Sequence, residues 1–488
     1  MKKPITFITS LLALLASCQT GEISLTPLDD VTNELTEVAV PPRQITDDVN
    51  SNEVDKILDK LFEGKQKSRA GYNISLLKDK TGKDAIICIN FENNGGFALI
   101  SAVKTHQPIL AYAEEGNFTN TDDLKFPLNL WFEDAIEGVS TSCELPEDSL
   151  RSIRTSWRVF EDSKQKLMSR AYEPEPDKSK LNSITWEEYL ELSHVILGYV
   201  NKWQADGDQV YEIDQYPRTL SIGDRFQIAG YVRGLIYPLY DEDYWAVTVI
   251  RERSMYNQNT TGAHFETKWQ QYNKYNQSFD LKPNSLTDRI PVGCGPIAVG
   301  QVMYYYKYPS CFNWDGMTKV GEGNKVTSDF LLDVKGKCNA TYDKDKDGTG
   351  CSTDDRIKAL NTYGYSCRKL SPITIGSLYA YCPAIVSSAL KFFNTTTNKE
   401  DEGGHAWIVE SAINSRSYTQ VEIWTFTYDK EFKCIYQEEI DNLDITKFYV
   451  NWGWADNRDG YYYFSNFTPS GYLGNTLRDA IIDIKPNK

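Results

Sequence analysis

The run from Val292 to Pro309, "VGCGPIAVGQVMYYYKYP", constrains this chain more than any other stretch. Gly293 and Gly295 flank Cys294 and permit close backbone approach and unusual φ. Pro296 fits an α-helix only in its first turn. Ile297, Val299, Val302, Met303 and Tyr306 then recur at helical spacing, and Pro309 closes the run. The pattern predicts a buried helix with Cys294 at its N-terminus. Free N–H groups and the helix macrodipole there favour a thiolate. A cysteine kept only for packing needs neither, whereas a nucleophile needs both.

A thiolate nucleophile needs a proton-carrying partner. The chain has four histidines: His106, His194, His264 and His405. His106 and His194 lie in the N-terminal half, and His264 borders polar sequence. His405 stands in "EGGHAWIVES", where two glycines leave room for a substrate backbone. Residues 406–410 read as a buried strand, so the ring is expected at a strand start. The imidazole in turn needs an orienting acceptor. "FYVNWGWADNRDGYYYF" offers Asn451 after an alternating strand, with Trp452 and Trp454 beside it. Asn451 is expected to accept from the ring N–H, and Trp452 to shield that bond from water.

The order Cys, His, Asn is similar to that of papain-like cysteine peptidases, and in detail the chain resembles the streptopain family. Gly293-Cys294 with its helix and Tyr308-Pro309, Gly404-His405-Ala406-Trp407, and Asn451 to Trp454 followed by Asp459-Gly460-Tyr461 match that family's motifs. So does "FNWDGM" at 312–317. The resemblance implies an oxyanion-hole glutamine in a Trp-x-Gln-x-x-x-Tyr-Asn context. Trp269, Gln271, Tyr275 and Asn276 fit it, so Gln271 takes that role. "GGFALISAVKTHQPILAYAEEGNF" resembles the family's pro-domain, which covers the active site until cleaved. Gly295-Pro296, Lys274 and Ala455-Asp456 depart from the usual pattern, which bears on substrate preference. The resemblance implies an α+β fold: a papain-like domain, part helical and part antiparallel sheet, behind a small α+β pro-domain.

The N-terminus adds a destination. Lys2 and Lys3, an apolar stretch too short to span a bilayer, and small residues make a secretory signal over 1–17. Leu15-Ala16-Ser17-Cys18 resembles a bacterial lipobox, so Cys18 is expected to be lipidated. Residues 18–49 then form a polar tether from the membrane. The protein is expected to be exported and held at a periplasmic or cell surface, with release after processing. Residues 50–170 form the pro-domain: a helix over 52–63, a hairpin turning at Asn93-Asn94-Gly95-Gly96, a strand in "QPILAYAEEGNF", and a helix-like stretch from Leu150. Residues 171–261 are a linker or insertion of unknown role, with a helix in "TWEEYLELSHVILGYVNKW" and strands in "RFQIAGYVRGLIYPLY" and "YWAVTVIRER". Residues 262–488 form the peptidase domain.

A net charge of −16 argues against nucleic acid as a partner. The expected partners are protein or peptide substrates, the intramolecular pro-domain, and the membrane through the lipid alone. Besides Cys18 and Cys294 there are Cys88, Cys143, Cys311, Cys338, Cys351, Cys367, Cys382 and Cys434. None forms a C-x-x-C pair, and neither a metal nor a cofactor is expected. "DKDKDGTGCSTD" at 343–354 fits part of a calcium loop. It ends in Asp354 rather than the bidentate Glu, and reads as a solvated acidic loop. The favoured expectation is a secreted cysteine endopeptidase made as a zymogen. A silent binding protein of the same fold and an acyl-transfer enzyme using the same dyad stand beside it.

Overall fold

A computed structural model describes residues 48–62, 71–119, 124, 127–160, 186–212, 249–394, 399–426, 431–454, 458–464 and 477–487. The signal, Cys18, the tether, "RFQIAGYVRGLIYPLY" and Ala455-Asp456 lie outside them.

The N-terminal unit begins with helix α1 (Ser51–Leu61), started by a capping box between Asn50 and Glu53. Strands β1 (Tyr72–Lys78), β2 (Asp84–Phe91), β3 (Phe97–Ser101) and β4 (Ile109–Ala113) follow as an antiparallel meander. Asn93 and Asn94 take the positive φ the β2–β3 turn requires, 59° and 57°. Helices α2 (Leu128–Thr141) and α3 (Glu147–Arg158) complete the unit. α1 and α3 cover one face of the meander through Val54, Ile57, Ile89, Ile100, Ile153 and Trp157.

The 171–261 block contributes α4 (Trp186–Ala205), β5 (Gln209–Glu212) and the long β6 (Val249–Gly262). The C-terminal half then begins with α5 (Cys294–Tyr306) and α6 (Lys325–Lys337). A small hairpin follows, β7 (Thr341–Asp343) with β8 (Gly348–Gly350), then α7 (Thr353–Thr362), β9 (Tyr365–Leu370) and α8 (Ile375–Ala380). The chain ends in β10 (Ala384–Asn394), β11 (Lys399–Phe426), β12 (Phe432–Asn451), β13 (Gly460–Tyr463) and β14 (Leu477–Pro486).

Among the described residues one mixed assembly results. The sheet runs β1-β2-β3-β4-β13-β12-β11-β10-β14-β9, with β6 paired to β11 and β5 to β6. The N-terminal unit therefore joins the C-terminal half edge to edge: Tyr112 pairs with Tyr461 and Ala111 with Tyr462. This is the expected α+β class, a helical part against an antiparallel sheet behind a small α+β unit.

The central strands are buried on both faces, which explains their nearly continuous apolar runs. Ile385, Ala406, Ile408 and Ile481 face the helical part with Trp269, Ile297, Val302 and Phe330. Val386, Trp407, Val409 and Ile482 face the other way, into a core shared with Phe97, Phe118, Trp131, Trp452 and Tyr462. The N-terminal unit and the C-terminal half thus bury one common apolar core, at roughly 2 kcal/mol for each large side chain.

Two expectations change here. His405 does not start a strand, because β11 already runs from Lys399 and pairs His405 with Ser388. The helix after Cys294 ends before Pro309: Lys307 adopts a left-handed φ of 47° and its N–H caps the last turn. The acidic loop at 343–354 is dispersed among separate elements. Asp347 pairs with Lys282 at 2.6 Å, and Asp354 sits in the first turn of α7 facing Lys369 at 3.2 Å.

Candidate active site

Cys294 is the first residue of α5, after Gly293 with φ 99°. That φ excludes most side chains, and a Cβ at Gly293 would meet the Thr349 carbonyl oxygen at 2.7 Å. Tight packing on β8 thus sets the angle at which Cys294 enters the helix. The Cys294 thiol is partly buried. Burial alone pushes it up. The hydrogen bond and charge of His405, the Arg356 guanidinium and the Ala406 N–H outweigh that and bring it down to about 7.

His405 supplies the partner ring. Its Nε2 lies 2.8 Å from the Trp452 carbonyl oxygen, so Nε2–H donates there and Nδ1 is left for the thiol. The ring stacks on Trp454, with centroids 4.8 Å apart, and more loosely on Trp407 at 6.2 Å. These faces exclude water from one side of the imidazole.

The expected role of Asn451 is therefore corrected. Its Nδ2 donates to Thr267 O and Glu410 Oε1, both at 2.9 Å, and its Oδ1 accepts from Gly453 N at 3.2 Å. Gln301 of α5 faces the same amide at 3.3 Å and accepts from Trp269 N at 3.1 Å. Asn451 thus ties the loop before Gln271, the nucleophile helix and β11 together, while the backbone one residue on holds the histidine. Trp452 is corrected likewise. Its indole is fully buried, tilted against Trp407 at 5.7 Å and edge-on to Tyr462 at 5.4 Å. It contributes its carbonyl, and Trp454 supplies the stacked cover.

Gln271 lies on a loop between buried Trp269 and Tyr275, where Asn273 and Lys274 have positive φ. Its carbonyl accepts from Val292 N at 3.1 Å, which lashes this loop to the segment entering Cys294. The other histidines lie elsewhere. His264 Nε2 meets the Tyr461 hydroxyl at 3.1 Å, and buried His106 belongs to the pro-domain. His194 is on α4.

Residue-type reasoning missed Arg356 and Glu410. Arg356 is 3% exposed and donates to Thr353 Oγ1 and Ser387 Oγ at 2.6 and 2.7 Å. Glu410 is equally buried, and its Oε2 accepts from Phe265 N at 2.8 Å. Nothing in their local sequence marks either; only the fold brings them to the site.

Comparison with known families agrees with this arrangement. Residues 269–330 match the Peptidase C10 family, and residues 46–139 match the Spi protease inhibitor family. Over these residues the chain is similar to the streptopain family and to an inhibitor-type pro-domain. The first match spans the glutamine loop, the nucleophile and α5; the second spans the meander and most of α2. A solved fragment of Prevotella intermedia prointerpain A, carrying a cysteine-to-alanine substitution, aligns at 14% identity. That alignment covers 86% of this chain and 100% of the other, with a TM-score of 0.41. No curated protein matches the chain. An inhibitor-type segment and a streptopain-type segment thus lie in one chain, in that order.

Proposed function

We propose that this protein is an exported cysteine endopeptidase, made as a zymogen, that hydrolyses peptide bonds through Cys294 and His405. The observation carrying the proposal is the Cys294 thiol, drawn to about 7 chiefly by His405 against its burial. Near neutral pH a thiol so lowered is about half ionised, and the thiolate is the nucleophile.

The thiolate of Cys294 attacks the scissile carbonyl carbon. The oxyanion forms beside the Cys294 N–H and the Gln271 side-chain amide, whose loop is fixed by the Gln271 carbonyl to Val292 N contact. His405 gives its Nδ1 proton to the leaving amine, and Trp452 O keeps the ring in place through Nε2–H. Water then attacks the thioester with His405 as base. Substrates are proteins bound as extended segments, with a hydrophobic side chain at the second position before the cut. Residues 1–17 direct export, and Cys18 carries the lipid.

A silent binding protein would need its cleft covered by the 171–261 block. The described strands of that block run along β11 beyond His405: β6 pairs from Gly262 at Ser411 to Val249 at Trp424. They share a separate core with Ile196, Val200, Trp203 and Phe432.

The test compares protein starting at Gln19 with its Cys294→Ala variant, with thiol present. Wild type is expected to shorten itself and to cleave casein, directly or after trypsin has removed the pro-domain. The variant should do neither. Folded wild type that stays inert after trypsin would overturn the proposal. Transfer of the acyl group to added amines faster than hydrolysis would replace it with the acyl-transfer reading.

A further inference from the structure

One ion pair crosses from the N-terminal unit to the loop that carries Gln271. Lys268 Nζ lies 3.3 Å from Glu115 Oε2. Among the described residues Glu115 is the one carboxylate within ion-pair distance of that ammonium. The neighbouring Glu266 is held by Lys319 instead, at 2.8 Å.

The stem of Lys268 is fixed from both sides. Thr267 and Trp269 are fully buried, so the side chain between them turns toward the surface. Thr267 O accepts from Asn451 Nδ2 at 2.9 Å. Lys268 N–H donates to Lys319 O at 2.9 Å, and Trp269 N–H to Gln301 Oε1 at 3.1 Å. The ammonium therefore stands on a braced loop between two parts of the site. On one side Asn451 precedes Trp452, whose carbonyl holds His405. On the other, the loop continues to Gln271, whose carbonyl accepts from Val292 N–H.

The carboxylate arrives from a separate segment. Glu115 follows β4 on a loop pinned to the β2–β3 turn: Gly116 N–H donates to Asn94 O at 2.9 Å, and Gly96 N–H to Gly116 O at 3.0 Å. Phe118 anchors the loop in the shared core, and Thr119 O accepts from Arg458 Nη2 at 2.8 Å. The loop thus touches the C-terminal half at Lys268 and again at Arg458, just after the Trp454 segment. The Glu115 side chain is 74% exposed against 23% for Lys268. A cation built into the wall of the site meets a carboxylate brought from outside, and another extended chain could bring the same group.

We propose that Lys268 is a specificity-determining residue that selects Asp or Glu on the leaving-group side of the cut, and that Glu115 fills its place until the N-terminal unit is released. The inference rests on the proposed function, since it requires both a cut and a release. The side follows from the path of the proton. His405 protonates the leaving amine, so the chain beyond the cut passes the segment that holds His405. Thr267 and Lys268 are attached to that segment through Asn451. Exchanging Glu115 for a substrate carboxylate replaces one ion pair by another of the same kind. A partly exposed pair contributes up to about five-fold in selectivity and weakens with salt.

The test uses the full chain from Gln19, processed by itself or by trypsin that is then inhibited, acting on a mixture of peptides. All carry a hydrophobic residue at the second position before the cut. They differ in having Glu, Gln or Lys at one of the first three positions after it. Mass spectrometry reads the kcat/KM ratios within one tube, so a general loss of activity cancels. Wild type is expected to favour Glu over Gln by up to about five-fold at one of these positions, and by less at high salt. Lys268→Met should bring that ratio to one, and Lys268→Glu should turn it in favour of Lys. Equal cutting of the Glu and Gln peptides by wild type would overturn the inference and leave the proposed function standing. So would an acid preference that survives Lys268→Met. If no peptide were cut, the proposed function would fall, and this inference with it.

Discussion

His405 Nε2 lies 2.8 Å from the carbonyl oxygen of Trp452, while the side chain of the preceding Asn451 points to Thr267 and Glu410. A backbone carbonyl is a fixed acceptor, because β12 and the buried Trp452 indole hold it in place. The imidazole is oriented by the fold rather than by one side chain. Replacing Asn451 should therefore cost stability before chemistry. In Asn451→Ala the buried Glu410 loses one donor, and the Gln301 amide loses its partner, at roughly 3 kcal/mol. The expected outcome is a lower melting temperature, with the pH profile of Cys294 alkylation unchanged. A displaced pH profile in the folded variant would return the orienting role to Asn451.

The thiolate prediction concerns pH directly. Cys294 has an acid pKa lowered to about 7, so its reactivity is absent well below that pH and rises through it. Alkylation by iodoacetamide, followed from pH 5 to 9, should show its midpoint near this value. Arg356→Met removes a buried positive charge that favours the thiolate. The midpoint should move up, and the alkylation rate at pH 6 should fall by up to about ten-fold, the factor for each unit of pKa. An unmoved midpoint would remove Arg356 from the electrostatics of the site.

Gly460 tests the pro-domain interface. A Cβ there would meet Tyr112 O at 2.7 Å and Ala113 Cβ at 2.9 Å, both on β4. Gly460→Ala should loosen the edge between β4 and β13 while leaving the peptidase sheet intact. Expected is earlier release of the pro-domain under limited trypsin, by about ten-fold in protease concentration for a loss of roughly 1.4 kcal/mol. Unaltered release would show that this edge does not limit pro-domain docking.

Acid should weaken the same unit through His106. Burial holds this imidazole neutral, lowering it from 6.5 to about 4. Between those values the unfolded chain binds a proton that the native chain refuses. The native state is fully stable above about pH 6.5 and loses roughly 3 kcal/mol as pH falls to 4. Melting curves should show this loss in wild type, and a shallower slope in His106→Phe. Equal slopes would assign the acid sensitivity to other groups.

Local patterns carried much of the site. The helix after Cys294, the apolar face of α1 and the Asn93-Asn94 turn follow from spacing and backbone preference, because each depends on neighbours within a few residues. The pairing of Cys294 with His405 followed from the scarcity of histidine and the glycines around it. Roles that depend on partners far along the chain did not. Arg356, Glu410 and the Trp452 carbonyl enter the site because α7, β11 and the end of β12 converge there. A backbone carbonyl has no signature in sequence at all. The merging of pro-domain and peptidase into one sheet was equally hidden, since the pairing of Tyr112 with Tyr461 joins two strands that look like ordinary edges alone. By itself the sequence determined where helices and turns begin, because those are local matters of side-chain spacing and φ. Tertiary structure alone decided which acceptor holds His405 and which charge favours the thiolate, because these depend on long-range packing.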